Sequence, residues 1–102
     1  VNGAERDRRI LDVVRSLREG EVVSYGDIAA DAGHPGRARL VGRLLAEVSD
    51  EELPWWRVVT SAGRLVPGLE VDQEHRLIDE GVIVQRGRVR SAPAGRFSRP
   101  GR

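Results

Sequence analysis

The chain of 102 residues contains no cysteine, no methionine and no lysine, and only 4% of it is aromatic. The absence of cysteine excludes disulfides, thiolate catalysis and cysteine-ligated zinc. The two histidines, His34 and His75, lie far apart and form no ligand pair at helical spacing. No apolar run approaches the roughly 18 residues that a membrane span needs. No signal-peptide pattern opens the chain, and a cytoplasmic location is the expectation, at the nucleoid in a bacterium. Ser, His and Asp fall into no catalytic constellation, and no glycine loop fits a phosphate cofactor, so neither a cofactor nor a metal is expected.

What is present is charge of uneven placement. All 17 basic residues are arginine, against 16 acids, for a net charge of +1. Residues 1–84 hold 11 arginines and 16 acids, a balance of −5; residues 85–102 hold 6 arginines and no acid, a balance of +6. Arginine suits bidentate phosphate contact, although a codon bias toward arginine produces the same count. The chain is long enough for one domain. The expected division is a folded domain over 1–90 and a basic tail over 91–102, rich in Pro, Gly, Ser and Arg and expected to be disordered.

Hydrophobic spacing places the elements. Ile10, Val13, Val14 and Leu17 recur at helical intervals, so Glu5 to Arg18 is expected to be a helix that stops at Gly20. Ser24-Tyr25-Gly26-Asp27 has the form of a capping box opening a short helix, Tyr25 to Ala32. Gly33-His34-Pro35-Gly36 is a turn. A third helix, Arg37 to Val48, has an apolar face of Leu40, Val41, Leu44, Leu45 and Val48, and a polar face of Arg37, Arg39, Arg43 and Glu47. A short helix, a glycine turn and a helix with an arginine face make a helix-turn-helix. Ser49 to Glu52 is an acidic loop. Trp56 to Thr60 and Arg64 to Val66 are expected to pair as a hairpin, or wing. Asp72 is the expected cap of a last helix to Glu80, and residues 82–84 and 88–90 form a final hairpin around Gly87. The fold class is mainly α with a small β wing, a winged helix-turn-helix.

Two places carry candidate chemistry. Arg39 and Arg43, four apart, share one exposed helix face that suits phosphates, bases or a gap in a base stack. A solvated face with an Arg43–Glu47 ion pair is the plainer reading. The adjacent Trp55 and Trp56 stand out in a chain with so few aromatics. If extended, they point to opposite sides, one into the core and one into a pocket, where an indole suits a flipped base. Two core tryptophans are the plainer reading.

The span from Gly20 to Val82 resembles the C-terminal domain of the O6-alkylguanine-DNA alkyltransferase family. Val23-Ser24-Tyr25-Gly26-Asp27-Ile28-Ala29 matches the start of that family's helix-turn-helix. His34-Pro35-Gly36-Arg37-Ala38-Arg39-Leu40-Val41-Gly42 matches its turn and arginine-finger helix. Pro54-Trp55-Trp56-Arg57-Val58-Val59 matches its active-site motif Pro-Cys-His-Arg-Val-Val, and Asp79-Glu80-Gly81 matches near the domain's end. Trp55 stands at the acceptor cysteine and Trp56 at the histidine. Alkyl transfer needs a thiolate, so the resemblance implies no enzyme. It is to the alkyltransferase-like subgroup, which replaces the acceptor, commonly with Trp, and commonly keeps the His that is Trp56 here. The segment between Arg64 and Asp72 is also short against the family's pocket lid.

The resemblance implies binding of O6-alkylguanine in double-stranded DNA by nucleotide flipping, without repair, and hand-over to nucleotide excision repair proteins. It gives Tyr25 a place at the rotated phosphate and the pocket, and makes Arg39 the finger that fills the gap. Arg37 and Ala38 present helix-start N–H groups, and Arg43 shares their DNA-facing side. Ser61 is a phosphate contact on the wing. Leu45, Trp55, Trp56 and Val58 line the lesion pocket. Arg57 and Glu80 hold the motif and the last helix in place. A monomer is the simplest state. A winged-helix regulator without lesion specificity, and an interaction protein on the same fold, are the alternatives that the residues leave open.

Overall fold

The computed structural model describes residues 3–48 and 52–98. Its elements in chain order are helix α1 (Gly3–Arg15), strand β1 (Glu21–Ser24), helices α2 (Tyr25–Asp31) and α3 (Ala38–Glu47), a 3-10 turn (Trp55–Arg57), strand β2 (Val58–Val59), helix α4 (Glu70–Asp79), and strands β3 (Ile83–Gln85), β4 (Arg88–Ser91) and β5 (Ala94–Gly95). Most of the expected acidic loop, residues 49–51, and the tail's last residues, 99–102, lie outside the described residues.

A small parallel sheet divides the interior. Its order is β2-β1-β5, with Val23 opposite Val58 and Glu21 opposite Ala94. Successive side chains of a strand face opposite ways. Val58 therefore enters one core, with Ile10, Val14, Ile28, Val41 and Leu44 from α1, α2 and α3. Its neighbour Val59, with Val22, enters a second core formed by Leu65, Leu77, Val82 and Val89. The helix-turn-helix sits on the first core, and α4 with the β3–β4 hairpin sits on the second.

Helix α1 ends at Arg15, earlier than its apolar spacing predicts. The Ser16 hydroxyl donates to the Val13 carbonyl at 2.6 Å, and the Leu17 carbonyl accepts from Arg57 at 2.9 Å instead of continuing the helix. Gly20, at φ 82°, then turns the chain into β1. Helix α4 begins at Glu70, and the predicted cap Asp72 is instead one turn inside it, paired with Arg76 at 2.9 Å. The helix closes on Gly81, where Val82 N–H donates to Leu77 C=O and Gly81 N–H to Ile78 C=O, a Schellman arrangement.

The wing departs from expectation. Beyond one hydrogen bond, Thr60 N–H to Arg64 C=O at 3.2 Å, residues 64–66 do not return along 56–60. Val58 and Val59 are taken up by β1, and Arg64 bridges Arg88 instead. The turn between them survives, with Gly63 N–H on Thr60 C=O at 2.8 Å and Arg64 N–H on Thr60 Oγ1 at 2.9 Å. Gly63 permits this path, because a Cβ there would lie 2.8 Å from the Val89 carbonyl oxygen. The final hairpin forms as expected, with Arg86 and Gly87 both at positive φ (53° and 73°), as a primed two-residue turn requires.

The expectation of a disordered tail fails over residues 91–98. Ala94 and Arg96 donate backbone N–H groups to Gly20 and Val22 carbonyls at 3.1 and 2.9 Å, and Phe97 packs on the second core. Gly95 is required there: its φ is 87°, and a Cβ would collide with the Val22 carbonyl oxygen. A composition that resembles a linker thus supplies a close strand approach.

Candidate nucleic-acid interface

The helix-turn-helix is built by its caps. The Ser24 hydroxyl accepts from Asp27 N–H at 3.1 Å, and the Asp27 carboxylate accepts from Ser24 N–H at 2.9 Å, so the capping box is complete. Burial alone would raise the Asp27 carboxyl, but the Ser24 hydrogen bonds and the Arg96 guanidinium at 3.1 Å outweigh it and hold it below the usual range. Gly33 and Gly36, at φ 86° and 87°, reverse the chain between α2 and α3. Tyr25, at the start of α2, lies half-buried against the first core, and its ring faces α3 where Gly42 leaves room, about 3.9 Å from a Cβ built there. Burial raises the Tyr25 phenol above its ordinary value, so it stays a neutral donor.

Helix α3 starts openly. Its N-cap residue is Arg37, no side chain caps it, and its first turn holds no acid. The first N–H groups of a helix carry partial positive charge and seek an acceptor. Gly36, Arg37, Ala38, Arg39, Leu40 and Arg43 line an open groove of about 610 Å³ at this end. Arg37, Arg39 and Arg43 are exposed and make no side-chain hydrogen bond or ion pair among the described residues. The Arg43–Glu47 pair is thus not formed. The predicted quartet Arg37, Ala38, Arg39 and Arg43 comes together in one groove.

The tryptophans are not extended. Trp55–Arg57 is a 3-10 turn, and the two indoles meet edge to face, with ring centres 6.2 Å apart. Trp56 packs against the second core, and its indole N–H donates to Glu80 Oε2 at 2.9 Å. Arg57 grips the same carboxylate from Nε at 3.0 Å and Nη2 at 2.7 Å, and Gly20 N–H adds a bond at 2.9 Å. Burial alone would raise Glu80, but its hydrogen bonds from Arg57, Gly20 and Trp56 prevail and hold the carboxyl below the usual range. Arg57 and Glu80 therefore brace the motif, as the resemblance implies. Trp56 belongs to that brace.

The predicted pocket set changes in two respects: Trp56 is engaged in the brace, and Val58 is withdrawn from the surface. Val58 is fully buried in the first core and cannot face a ligand. Leu45 is partly buried against the same core. Trp55 is half-buried with an exposed portion, and Ser61 is exposed on the Thr60–Gly63 turn. Sequence reasoning missed Gln73 and Arg76. Gln73 is fully buried and ties α4 to the Trp56 and Val58 carbonyls at 3.2 and 3.3 Å while accepting from Val66 N–H at 2.7 Å. A glutamine among acids on a helix carries no signal of burial. Arg76 lies over both indoles.

A helix-turn-helix whose groove arginines are unpaired among the described residues, beside a braced indole pair, has the features of a DNA-binding domain. The chain belongs to the family of the 6-O-methylguanine DNA methyltransferase DNA-binding domain, whose model matches residues 5–82. Among its relatives is a DNA base-flipping protein of Vibrio parahaemolyticus, 39% identical over 79 residues, which are 74% of this chain and 79% of that one. Alkyltransferase-like protein 1 of Schizosaccharomyces pombe is 35% identical over 81 residues, 74% of this chain and 75% of that one. The fold matches the crystal structure of the S. pombe protein in complex with damaged DNA containing O6-carboxymethylguanine, with a TM-score of 0.77 at 32% identity, covering 83% of each chain. It also matches a Mycobacterium tuberculosis alkyltransferase structure in complex with DNA, with a TM-score of 0.69 at 29% identity, covering 78% of this chain and 51% of that one.

Proposed function

We propose that this chain is a non-enzymatic sensor that binds O6-alkylguanine in duplex DNA by nucleotide flipping and signals to nucleotide excision repair. The observation that carries the reading is the pairing of two features. Arg39 has no partner among the described residues at the open start of α3, and the likeness of Pro54–Val59 to the family's Pro-Cys-His-Arg-Val-Val motif assigns Trp55 to the acceptor thiol's position, in a chain without cysteine. The relatives named for base flipping, and the S. pombe complex with damaged DNA, support it.

The mechanism that we read joins this geometry to the roles that the family resemblance implies. Phosphates approach the uncapped N-terminus of α3, where Arg37 and Ala38 offer backbone N–H groups and Arg43 adds charge. Tyr25, neutral at ordinary pH, meets the rotated phosphate and the lesion, and Ser61 on its exposed turn adds a phosphate contact. Flipping costs a few kcal/mol, less for a damaged pair. An O6-alkyl group leaves guanine without its N1 proton and weakens its pairing with cytosine, so the lesion is the cheaper base to extrude. Arg39 enters the gap and offsets part of the lost stacking. Trp55 supplies an aromatic wall for the base, and each adduct methylene buried against it contributes roughly 0.8 kcal/mol. No thiolate attacks, so the complex persists as a monomer on bent DNA until a repair protein reads it.

The test is a titration of the chain, through Trp55 and Trp56 fluorescence, with two duplexes that differ only in one O6-methylguanine. Tighter binding to the modified duplex, weakened by Arg39→Ala, is the expected result. Equal binding to both makes the protein a winged-helix module without lesion specificity, and binding to neither makes it an interaction protein.

A further inference from the structure

Helix α4 brings a cation to the tryptophans that lesion flipping by itself does not use. The Arg76 guanidinium carbon lies 4.7 Å from the Trp56 ring centre and 5.8 Å from that of Trp55. The two rings are perpendicular, so the guanidinium occupies the corner between them. Arg76 Nε donates to Asp72 Oδ1 at 2.9 Å, and the terminal nitrogens have no partner among the described residues. The other cation over Trp56, Arg57 at 5.2 Å, differs: its donors are committed to Glu80 and to the Leu17 carbonyl. Arg76 is therefore the cation of this corner with N–H groups to offer.

We propose that Arg76 is a specificity-determining residue of the lesion site, and that it selects O6-alkylguanines whose adduct ends in an anionic group. The inference rests on the reading of Trp55 as a wall of that site. A flipped guanine against Trp55 directs its O6 substituent along the edge of the base, into the surroundings of the indole. A neutral adduct gains apolar contact there, as any adduct of its size does. A carboxylate-ended adduct also meets a planar fork of N–H donors matched to its own geometry. The indole faces hold the cation in place, and 44% of the Arg76 side chain stays exposed to an incoming group. The Asp72 partner is exposed, at 54% for its side chain, so exchanging it for a ligand carboxylate costs little.

The experiment uses the full chain and three end-labelled duplexes that differ at one base: guanine, O6-carbamoylmethylguanine and O6-carboxymethylguanine. The amide and the carboxylate have nearly the same size and differ in charge. Anisotropy titration at fixed salt is expected to show both modified duplexes bound more tightly than guanine, and the carboxylate about tenfold more tightly than the amide, the worth of one charge-assisted hydrogen bond. Arg76→Gln is expected to bring that ratio near one while the amide keeps its advantage over guanine. A residue that merely props the indoles would instead lower both modified affinities together. Asp72→Asn removes the competing acid without touching the rings and is expected to raise the ratio; it decides alone if the Arg76 variant does not fold. A ratio of one in the unaltered chain, or one unmoved by the substitutions, overturns the proposal and leaves lesion recognition standing. Equal affinity for all three duplexes overturns both.

Discussion

Arg57 donates hydrogen bonds to Glu80 and to the Leu17 carbonyl, whereas Arg39 makes none among the described residues. The first is mostly buried, with 14% of its side chain exposed, and the second is exposed. A paired, buried guanidinium serves the fold, because its donors are already satisfied. An unpaired guanidinium at a helix start adds little to the fold and retains its donors for something else. The same side chain thus marks two regions, a brace under the indoles and a groove at the start of α3.

The brace should break hardest. Glu80→Ala removes the common acceptor of Arg57, Trp56 and Gly20, leaving a mostly buried charge without its partner. Loss of one member of a buried pair costs about 3–5 kcal/mol, and urea denaturation of the variant should show a loss of that size. The next effect lies at the β1–β5 seam. Gly95→Ala forces a Cβ into the Val22 backbone at positive φ, and strained backbone of this kind costs on the order of 1–3 kcal/mol, again read from the unfolding midpoint.

The groove should show the opposite pattern. Arg39→Ala is expected to leave stability within about 0.5 kcal/mol, as for an exposed side chain without partners. It should weaken lesion binding by about tenfold, or roughly 1.4 kcal/mol. Arg43→Ala should weaken modified and unmodified duplexes alike and reduce the salt slope of binding by about one. An Arg39 variant that unfolds, or an Arg57 variant that loses DNA binding without losing stability, would erase the distinction between the two regions.

Much of the groove was legible because its signals are local. The capping box Ser24–Asp27, the glycines of the turn and the four-residue spacing of Arg39 and Arg43 each act within a few residues. The family resemblance added roles to Tyr25 and Arg39 that spacing could not. The indole corner was not legible, because a Trp-Trp pair is compatible with a strand or a 3-10 turn. Leu17, Gln73 and Glu80, far away in sequence, determine which one forms. Val58 illustrates the same limit. Its place in the motif suggested a pocket wall, but the parallel pairing with Val23 sends it into the first core. The tail's order was not legible because Pro93 and Gly95 look like linker residues, and only the distant Gly20 and Val22 carbonyls, which accept from Ala94 and Arg96 N–H, give that segment a strand partner.

The smallest expected effect tests whether Arg96 holds the tail to the cap of the helix-turn-helix by charge or by packing. Arg96 pairs with Asp27 at 3.1 Å, and both side chains are more than a third exposed. Such a pair contributes at most about 1 kcal/mol, so Arg96→Gln should lower stability by no more than that at neutral pH and low salt. Asp27 titrates below its ordinary value in the folded chain. Its contribution is therefore complete above the unfolded carboxyl's pKa and is lost as pH falls through the lower, folded value. Removing Arg96 takes away part of that depression, so the variant and the parent should converge in stability as the pH drops through this range. They should also converge at about 1 M salt, where the screening length shrinks to roughly 3 Å. A deficit that survives both acid and salt would mean that Arg96 holds the tail by packing rather than by charge.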